Sequence, residues 1–587
     1  MNKNEEFTTE IIDMTNEGEG VGKSDDGFTF FIHGGITGDV VKASVTKVKK
    51  TYGYARIVEI IKPSKDRVEP MCPVAGKCGG CSLLHMSYES ELRFKENKVK
   101  AAIERIGGFE EGSFDIEPII GFPRIEHLNA LHQEEAFQKN SDVKIDVTRP
   151  THYRNKAQFP VGRDSDGKLV TGFFAGRSHR IIPVDDCMIE HEVTGEILRC
   201  VKSYMMKNHV TAYDEASGKG LIRHIMVRVG FATGEVGVCL VINGDNIPAK
   251  EELVNAIKDA VFEFSIEVVF TDNLNVKNEL SLKSLSLNIN KENTNVIMGH
   301  KLITIFGNNY ITDEINGIKF HISPMSFYQV NHTGVEKLYG KALEFAGLSG
   351  EETVWDLYCG IGTISLFLAK KAKKVYGVEI VPEAIENAKE NANLNGIENA
   401  DFYVGAAETL ALSLPKPDVI VVDPPRKGCD EKLLETMLKY MPEKIVYVSC
   451  DPATLARDLK ILCENSTYKL KKVQPVDMFS GSCHVETVCL LSKGDVKSQK
   501  LRVEFSLEDM DTDGFKKGAT YNAIRDWIKE KYGYRVTNLN IAQVKQKHGI
   551  IERENYNKPK SPESKQPGCP EEKVKAIEDA MRHFHML

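Results

Sequence analysis

The run TVWDLY at residues 353–358 passes without a break into CGIGTISLFLAKKA, so an apolar strand is turned by glycines straight into a helix. Further apolar runs follow at intervals filled by helical stretches: KVYGVEI, DVIVVDPP, KIVYVSC and, well after Leu470, an antiparallel-looking TVCLLSK. Strands of this kind pack as a doubly wound, mostly parallel sheet, with ligands at the strands' carboxyl ends. The fold class expected is α/β, with a Rossmann-like unit over residues 300–494.

Upstream the pattern changes. From Phe7 to Lys62 short β-type runs alternate with turn clusters such as NEGEGVGKSDDG, which predicts a small OB-like β-barrel within residues 1–67. Residues 68–299 read as a central α+β unit interrupted by a polar insertion at about 125–147, and residues 495–587 as a linker and C-terminal extension. In that extension ATYNAIRDWIKEKYG and TNLNIAQVKQKHG predict two helices joined by a short turn, capped by Thr537 or Asn538, a helix-turn-helix-like arrangement.

Charge narrows the partners. With 76 Lys and Arg against 84 Asp and Glu, the net charge of −8 excludes a uniformly basic nucleic-acid coat. The positive charge is concentrated instead. Residues 42–67 carry eight basic side chains against two acids, and residues 516–560 carry eleven against four. Two local grips on a phosphate backbone are the expectation. No long apolar run and no signal-peptide pattern is present at the polar start, so the chain is expected to be cytoplasmic, without a membrane partner. Thirteen cysteines in 587 residues are too few for a disulfide scaffold.

Candidate site residues gather at the carboxyl ends of the expected strands. Asp356 precedes Gly360 and Gly362, and Glu379 ends the next strand about twenty residues on, where a carboxylate can accept ribose hydroxyls. The loop lacks a complete G-x-G-x-x-G and any G-K-[ST], which disfavours dinucleotides and triphosphates. The acid before the glycines suits a cationic ligand such as S-adenosylmethionine. Asp423 stands at the end of VVDPP, stiffened by Pro424 and Pro425. Cys450 ends KIVYVSC just before a helix N-terminus, where a lowered thiol pKa is physically available. His484 and Glu486 both precede the last strand as candidate bases. Cys72, Cys78 and Cys81 have the spacing C-x5-C-x2-C, with Cys187 available as a fourth thiol; spacing alone leaves zinc and an iron–sulfur centre both open.

Taken together, DLYCGIGT, VVDPPRKG, VSCDPATLARDL, DMF…HVETV and SPMSFYQVN resemble the RNA uracil-5-methyltransferase family. FTTEIIDMTNEGEGVG through ARIVEIIKPSKDRV resembles a TRAM domain, and CPVAGKCGGCSLLHMSY with HYRNKAQFPVG resembles the cysteine-bearing and central parts of the bacterial 23S ribosomal RNA members. The resemblance implies a Cys450 thiolate adding to carbon 6 of uracil, with Glu486 removing the carbon-5 proton and His484 only a neighbour. It implies adenosylmethionine contacts at Gln329, Tyr358, Glu379 and Asp423, beside Gly360. It also implies a 4Fe-4S cluster on Cys72, Cys78, Cys81 and Cys187, assigned to folding or RNA contact. The implied substrate is a loop uridine of 23S ribosomal RNA flipped into the site, with transfer RNA as the alternative, and the enzyme is expected to act as a monomer. A non-catalytic RNA-binding factor is the rival reading; it would need neither Cys450 nor Glu486.

Overall fold

The structure is a computed structural model that describes residues 1–122, 146, 148–176, 178–271, 279–410, 413–464, 467–494, 521–548, 569–584 and 586–587. The insertion expected at 125–147 therefore lies outside the described residues except for Asp146, and so does the linker expected from 495. The chain divides into two compact units, residues 1–496 and 497–587.

The first unit opens with six strands in the order Glu6–Glu10, Val40–Val48, Tyr52–Lys62, Thr29–His33, Gly20–Lys23 and Asp13–Met14. Alternating side chains put Phe30, Ile32, Val41, Ala43 and Val45 inside. The sheet curls on itself, so that Ile12 N donates to Val21 O (2.9 Å) and Lys23 N to Thr9 Oγ1 (3.0 Å), bringing its two edges together. Two of the basic residues counted on this segment are spoken for. Arg67 donates to the fully buried Asp39 (2.6 Å) and Lys42 pairs with Glu6 (2.7 Å).

A seven-stranded sheet follows, ordered Ile181–Pro183, Leu169–Phe174, Lys156–Arg163, Ile222–Val229, Glu235–Ile242, Ser281–Ile289 and Lys301–Gly307. Every residue of Ile222–Val229 is buried. The last strand differs from the sequence reading, which begins the third unit at 300: Lys301–Gly307 pairs antiparallel with Ser281–Ile289 as an edge of the central sheet. The helix Tyr88–Arg105 crosses the expected boundary in the other direction. Its Val99 and Ile103 share a core with Leu455 and Leu459 of the third unit, and Asp115–Ile116 adds a short edge strand to that unit's sheet. An apolar stripe marks a helix as amphipathic but carries no label for the core it will join.

The third sheet runs Ala400–Val404, Lys374–Glu379, Thr353–Leu357, Val419–Val422, Lys444–Ser449, Glu486–Lys493, Tyr468–Val476, Asp115–Ile116. Its first five strands are parallel, while Glu486–Lys493 runs antiparallel to both neighbours. The order reverses between Thr353–Leu357 and Val419–Val422, which opens a crevice at their carboxyl ends.

In the second unit Tyr521–Tyr532 and Asn538–Lys547 form the two expected helices. Thr537 caps the latter: Asn540 N donates to Thr537 Oγ1 (3.2 Å) and Thr537 N to Asn540 Oδ1 (3.1 Å). A third helix, Glu571–His583, is absent from the sequence reading, and it supplies Ile577, Ala580 and Met581 to a core shared with Ile524, Ile528, Ile541 and Val544. Among the described residues no helix is long and apolar enough to cross a membrane.

Candidate active site

The strand Thr353–Leu357 delivers its loop into the crevice through left-handed backbone at Tyr358 (φ +73°), Gly360 (φ +55°) and Gly362 (φ +82°). A Cβ on Gly362 would sit 3.1 Å from Phe402 and 3.2 Å from Ala388, so strain and packing both require glycine there. At Gly360 a Cβ would meet nothing within 4 Å; the loop leaves free space on that side. Glu379 is pinned at the next strand end, accepting from Gly360 N (3.2 Å) through one oxygen and from Ile380 N (2.8 Å) and Val381 N (3.1 Å) through the other. Ile380 beside it is 67% exposed, an apolar surface against which a flat ring can lie. Below the loop Ser365 Oγ donates to Asp356 Oδ2 (2.5 Å), while the buried Oδ1 has no partner. Burial pushes the Asp356 carboxyl up to about 7, against the pull of Ser365. An orphaned acidic oxygen, a fixed carboxylate and an open glycine edge fit a cationic, ribose-bearing cofactor.

Strand register assembles the second half. Leu357 pairs with both Val378 and Val422, so Tyr358, Glu379 and Asp423 emerge together at one edge. Ser449 pairs with Thr487 across an antiparallel ladder, which sets Cys450 opposite Glu486. Glu486 is 3% exposed, and its Oε2 has no hydrogen-bond partner. Burial, then the Asp423 charge, push it up to about 8; burial alone pushes Asp423 to about 6.

Cys450 departs from its expectation. Burial, followed by the neighbouring Glu486 and Asp423, pushes the thiol up to about 11, with Arg426 pulling the other way. The helix N-terminus that was to stabilise a thiolate is already occupied: the Asp451 carboxylate accepts from Ala453 N (2.9 Å) and Thr454 N (3.0 Å). Arg426, which the sequence reading passed over, is the cation acting on both Cys450 and Glu486. Its signal was its position directly after Asp423-Pro-Pro. His484 is exposed, on the loop just before the Glu486 strand.

Gln329 is 5% exposed, in a segment held from the central sheet. Asn155 Nδ2 donates to Gln329 O (2.9 Å) and Asn155 N to Val330 O (2.8 Å), while Asn331 caps the helix His332–Ala346 through Gly334 N (2.9 Å).

Cys72, Cys78, Cys81 and Cys187 line one cavity of about 370 Å³, with Arg154 and Glu190 on its wall. Cys81 and Cys187 are each pushed up to about 12, by burial first and by neighbouring thiols and, at Cys187, Glu190. Among the described residues no group of three or more His, Cys, Asp or Glu closes to the spacing that holds a single metal ion. The segment just after Cys81 meets the loop that leads to the Glu486 strand. Ser82 N and Leu83 N both donate to Gly481 O (2.9 Å each), and Gly481 lies five residues before Glu486.

This fold and crevice define a Rossmann-like methyltransferase joined to a TRAM barrel: the TRAM domain family matches residues 2–58, and the family described as tRNA (Uracil-5-)-methyltransferase matches residues 261–494. The chain is 46% identical over 498 residues to an uncharacterized RNA methyltransferase of Halalkalibacterium halodurans, covering 84% of this chain and 98% of the relative. It is 45% identical over 500 residues to one of Clostridium tetani, with 84% and 98% covered. The crystal structure of Pyrococcus abyssi tRNA (uracil-54, C5)-methyltransferase in complex with S-adenosyl-L-homocysteine has the same fold, with a TM-score of 0.62, 24% identity, and 83% and 99% of the two chains covered. The chain belongs to the RNA (uracil-5-)-methyltransferase family, and so to the enzymes that methylate RNA.

Proposed function

We propose that the protein methylates carbon 5 of a specific uridine in 23S ribosomal RNA. The observation that carries the chemistry is the antiparallel register that sets the Cys450 thiol opposite the Glu486 carboxyl, beside Asp423. A binding factor has no use for that pair. Adenosylmethionine supplies an electrophilic methyl group when bound, and Glu379, Gly360, Asp356, Tyr358 and Gln329 are the residues that would hold it.

The chain's own side chains do the rest. The half-buried Cys450 thiol gives up its proton to water, so that Glu486 and Asp423 stay ionised, and the sulfur bonds to carbon 6 of the flipped uracil, which turns carbon 5 into a nucleophile able to accept the methyl group. Glu486 then takes the carbon-5 proton; the electron pair restores the 5,6 double bond as the carbon–sulfur bond breaks and the thiolate leaves. Asp423 lies between the two reacting partners, and its ionised form favours a nearby cation.

The four thiols that line one cavity, Cys72, Cys78, Cys81 and Cys187, are the residues that would hold a 4Fe-4S cluster, a reading that rests on their resemblance to the ribosomal members. Ribosomal RNA is preferred because the TRAM barrel and this thiol set together resemble the ribosomal members. Transfer RNA is the second reading, favoured by the description of the matching catalytic family. Mapping 5-methyluridine in both RNAs from a deletion strain decides between them: loss from 23S RNA alone is expected, and loss from transfer RNA alone overturns the substrate assignment. Trapping with 5-fluorouridine RNA tests the chemistry. Wild type is held as an adduct and Cys450→Ala is not; equal behaviour of the two removes Cys450 as nucleophile.

A further inference from the structure

Glu486 has no side-chain partner at Oε2. The loop leading into its strand is bound almost residue by residue from another part of the chain. Lys95, fully buried on the helix Tyr88–Arg105, spends its three N–H groups on Glu91 Oε1 (2.6 Å), Asp477 Oδ1 (2.6 Å) and Phe479 O (3.1 Å). Glu91 Oε1 also accepts from Gly481 N (2.8 Å). Arg149 pairs with Glu91 and reaches Ser480 Oγ (3.4 Å), and Tyr88 OH donates to Asp477 Oδ2 (2.8 Å). Farther along, Tyr153 OH donates to Ser480 O (2.9 Å) and Lys98 Nζ to Cys483 O (2.8 Å).

We propose that the buried network of Glu91, Lys95, Arg149 and Asp477 positions Glu486 for removal of the carbon-5 proton. These four are positioning residues, not catalytic ones, and the proposal rests on the reading of Glu486 as the base. Two features separate this role from plain stabilisation. Four buried charges stabilise a fold no better than well-packed apolar side chains of the same volume, because each charge must be taken out of water. What such a network adds is geometry, since every donor fits one acceptor. Its bonds also converge on the loop from Asp477 to Gly481 that feeds the Glu486 strand, while the cofactor loop is held by other contacts. Burial by itself would lower the Lys95 pKa; Asp477 and Glu91 more than offset it, so the ammonium that ties helix to loop persists.

The consequence is selective. Loosening the loop slows proton removal while RNA binding and methyl transfer continue, so a methylated protein–RNA adduct accumulates. The test uses full-length protein, methyl-labelled adenosylmethionine and total RNA from a deletion strain, with label retained on protein followed on denaturing gels. Glu486→Gln is the reference and is expected to retain label. Asp477→Asn keeps shape and removes the charge; it is expected to lower kcat roughly 10- to 100-fold, to leave the RNA KM within about threefold and to accumulate labelled adduct. Tyr88→Phe deletes the hydroxyl that donates to Asp477 and accepts from Phe122 N (2.9 Å), and a smaller change in the same direction is expected even if Asp477→Asn fails to fold. Unchanged kcat in the folded variants, or a loss of rate without adduct, overturns the proposal. If Glu486→Gln itself retains no label, the base assignment falls first, and that outcome is distinct from positioning variants that fail while Glu486→Gln behaves as expected.

Discussion

The molecule has two thiol sites, both buried enough to push their thiols well above the ordinary range, and their surroundings differ. Cys450 is alone among carboxyls, facing Glu486 and Asp423, with Arg426 as the opposing charge. Cys81 and Cys187 face other thiols around a shared cavity. A lone thiol that gives its proton to water can act as a nucleophile in turn. Four thiols together cannot all ionise without a positive centre among them, and the proposed cluster would supply one. Desolvation is common to both sites, and the neighbours decide the role.

The comparison breaks most visibly if the lone thiol is removed. Cys450→Ala is expected to abolish methylation, by at least about 10³-fold, while leaving the iron content of the protein unchanged; Cys81→Ser is expected to lose the iron. Methyl transfer assays paired with iron analysis read both halves, and loss of iron from Cys450→Ala would merge sites that are here kept apart.

Next in size is the effect of the carboxyl neighbours on the thiol. Because the ionised Glu486 disfavours a thiolate, Glu486→Gln is expected to lower the pH midpoint of Cys450 alkylation by about one unit while lowering kcat by roughly 10²–10⁴. Alkylation followed by peptide mass analysis checks it; an upward shift would reverse the electrostatic account.

The same acids make cofactor affinity depend on pH. Asp423 (about 6) and Asp356 (about 7) are raised carboxyls, so each is protonated below its value and negative above it. Only the ionised forms attract a sulfonium. Calorimetry should show adenosylmethionine binding tighten roughly three- to tenfold from pH 6 to pH 8, with the neutral sulfide product showing little change. Weaker binding at pH 8 would remove these acids from the cofactor's side of the crevice.

The smallest effect expected is that of residues 497–587. Their removal should leave single-turnover methyl transfer intact and weaken RNA binding by roughly a fewfold, with a shallower salt dependence. Unchanged affinity and salt slope would exclude this unit as an RNA grip.

Much of the site can be read from sequence because each residue ends or follows an apolar strand. Asp356, Glu379, Asp423 and Cys450 all stand where a parallel sheet opens its crevice, and a local pattern suffices to say so. Lys95 and Asp477 escaped notice for the opposite reason. They lie 382 positions apart, and neither a lysine in a polar helix nor an aspartate before Met-Phe announces a partner at 2.6 Å. Lys301–Gly307 reads as a strand without stating its sheet, and Arg67 counts as a surface charge until Asp39 is found beneath it.

By itself, then, the sequence determined the run of parallel strands, the glycine loop and the positions of the candidate thiol, carboxyls and four grouped cysteines, since all are set by short-range pattern and side-chain chemistry. The tertiary structure decided that Cys450 stands opposite Glu486, that its pKa is raised, and that the segment just after Cys81 meets the loop that leads to the Glu486 strand. Those depend on which surfaces meet and which groups lose water together, and no local run of residues carries that information.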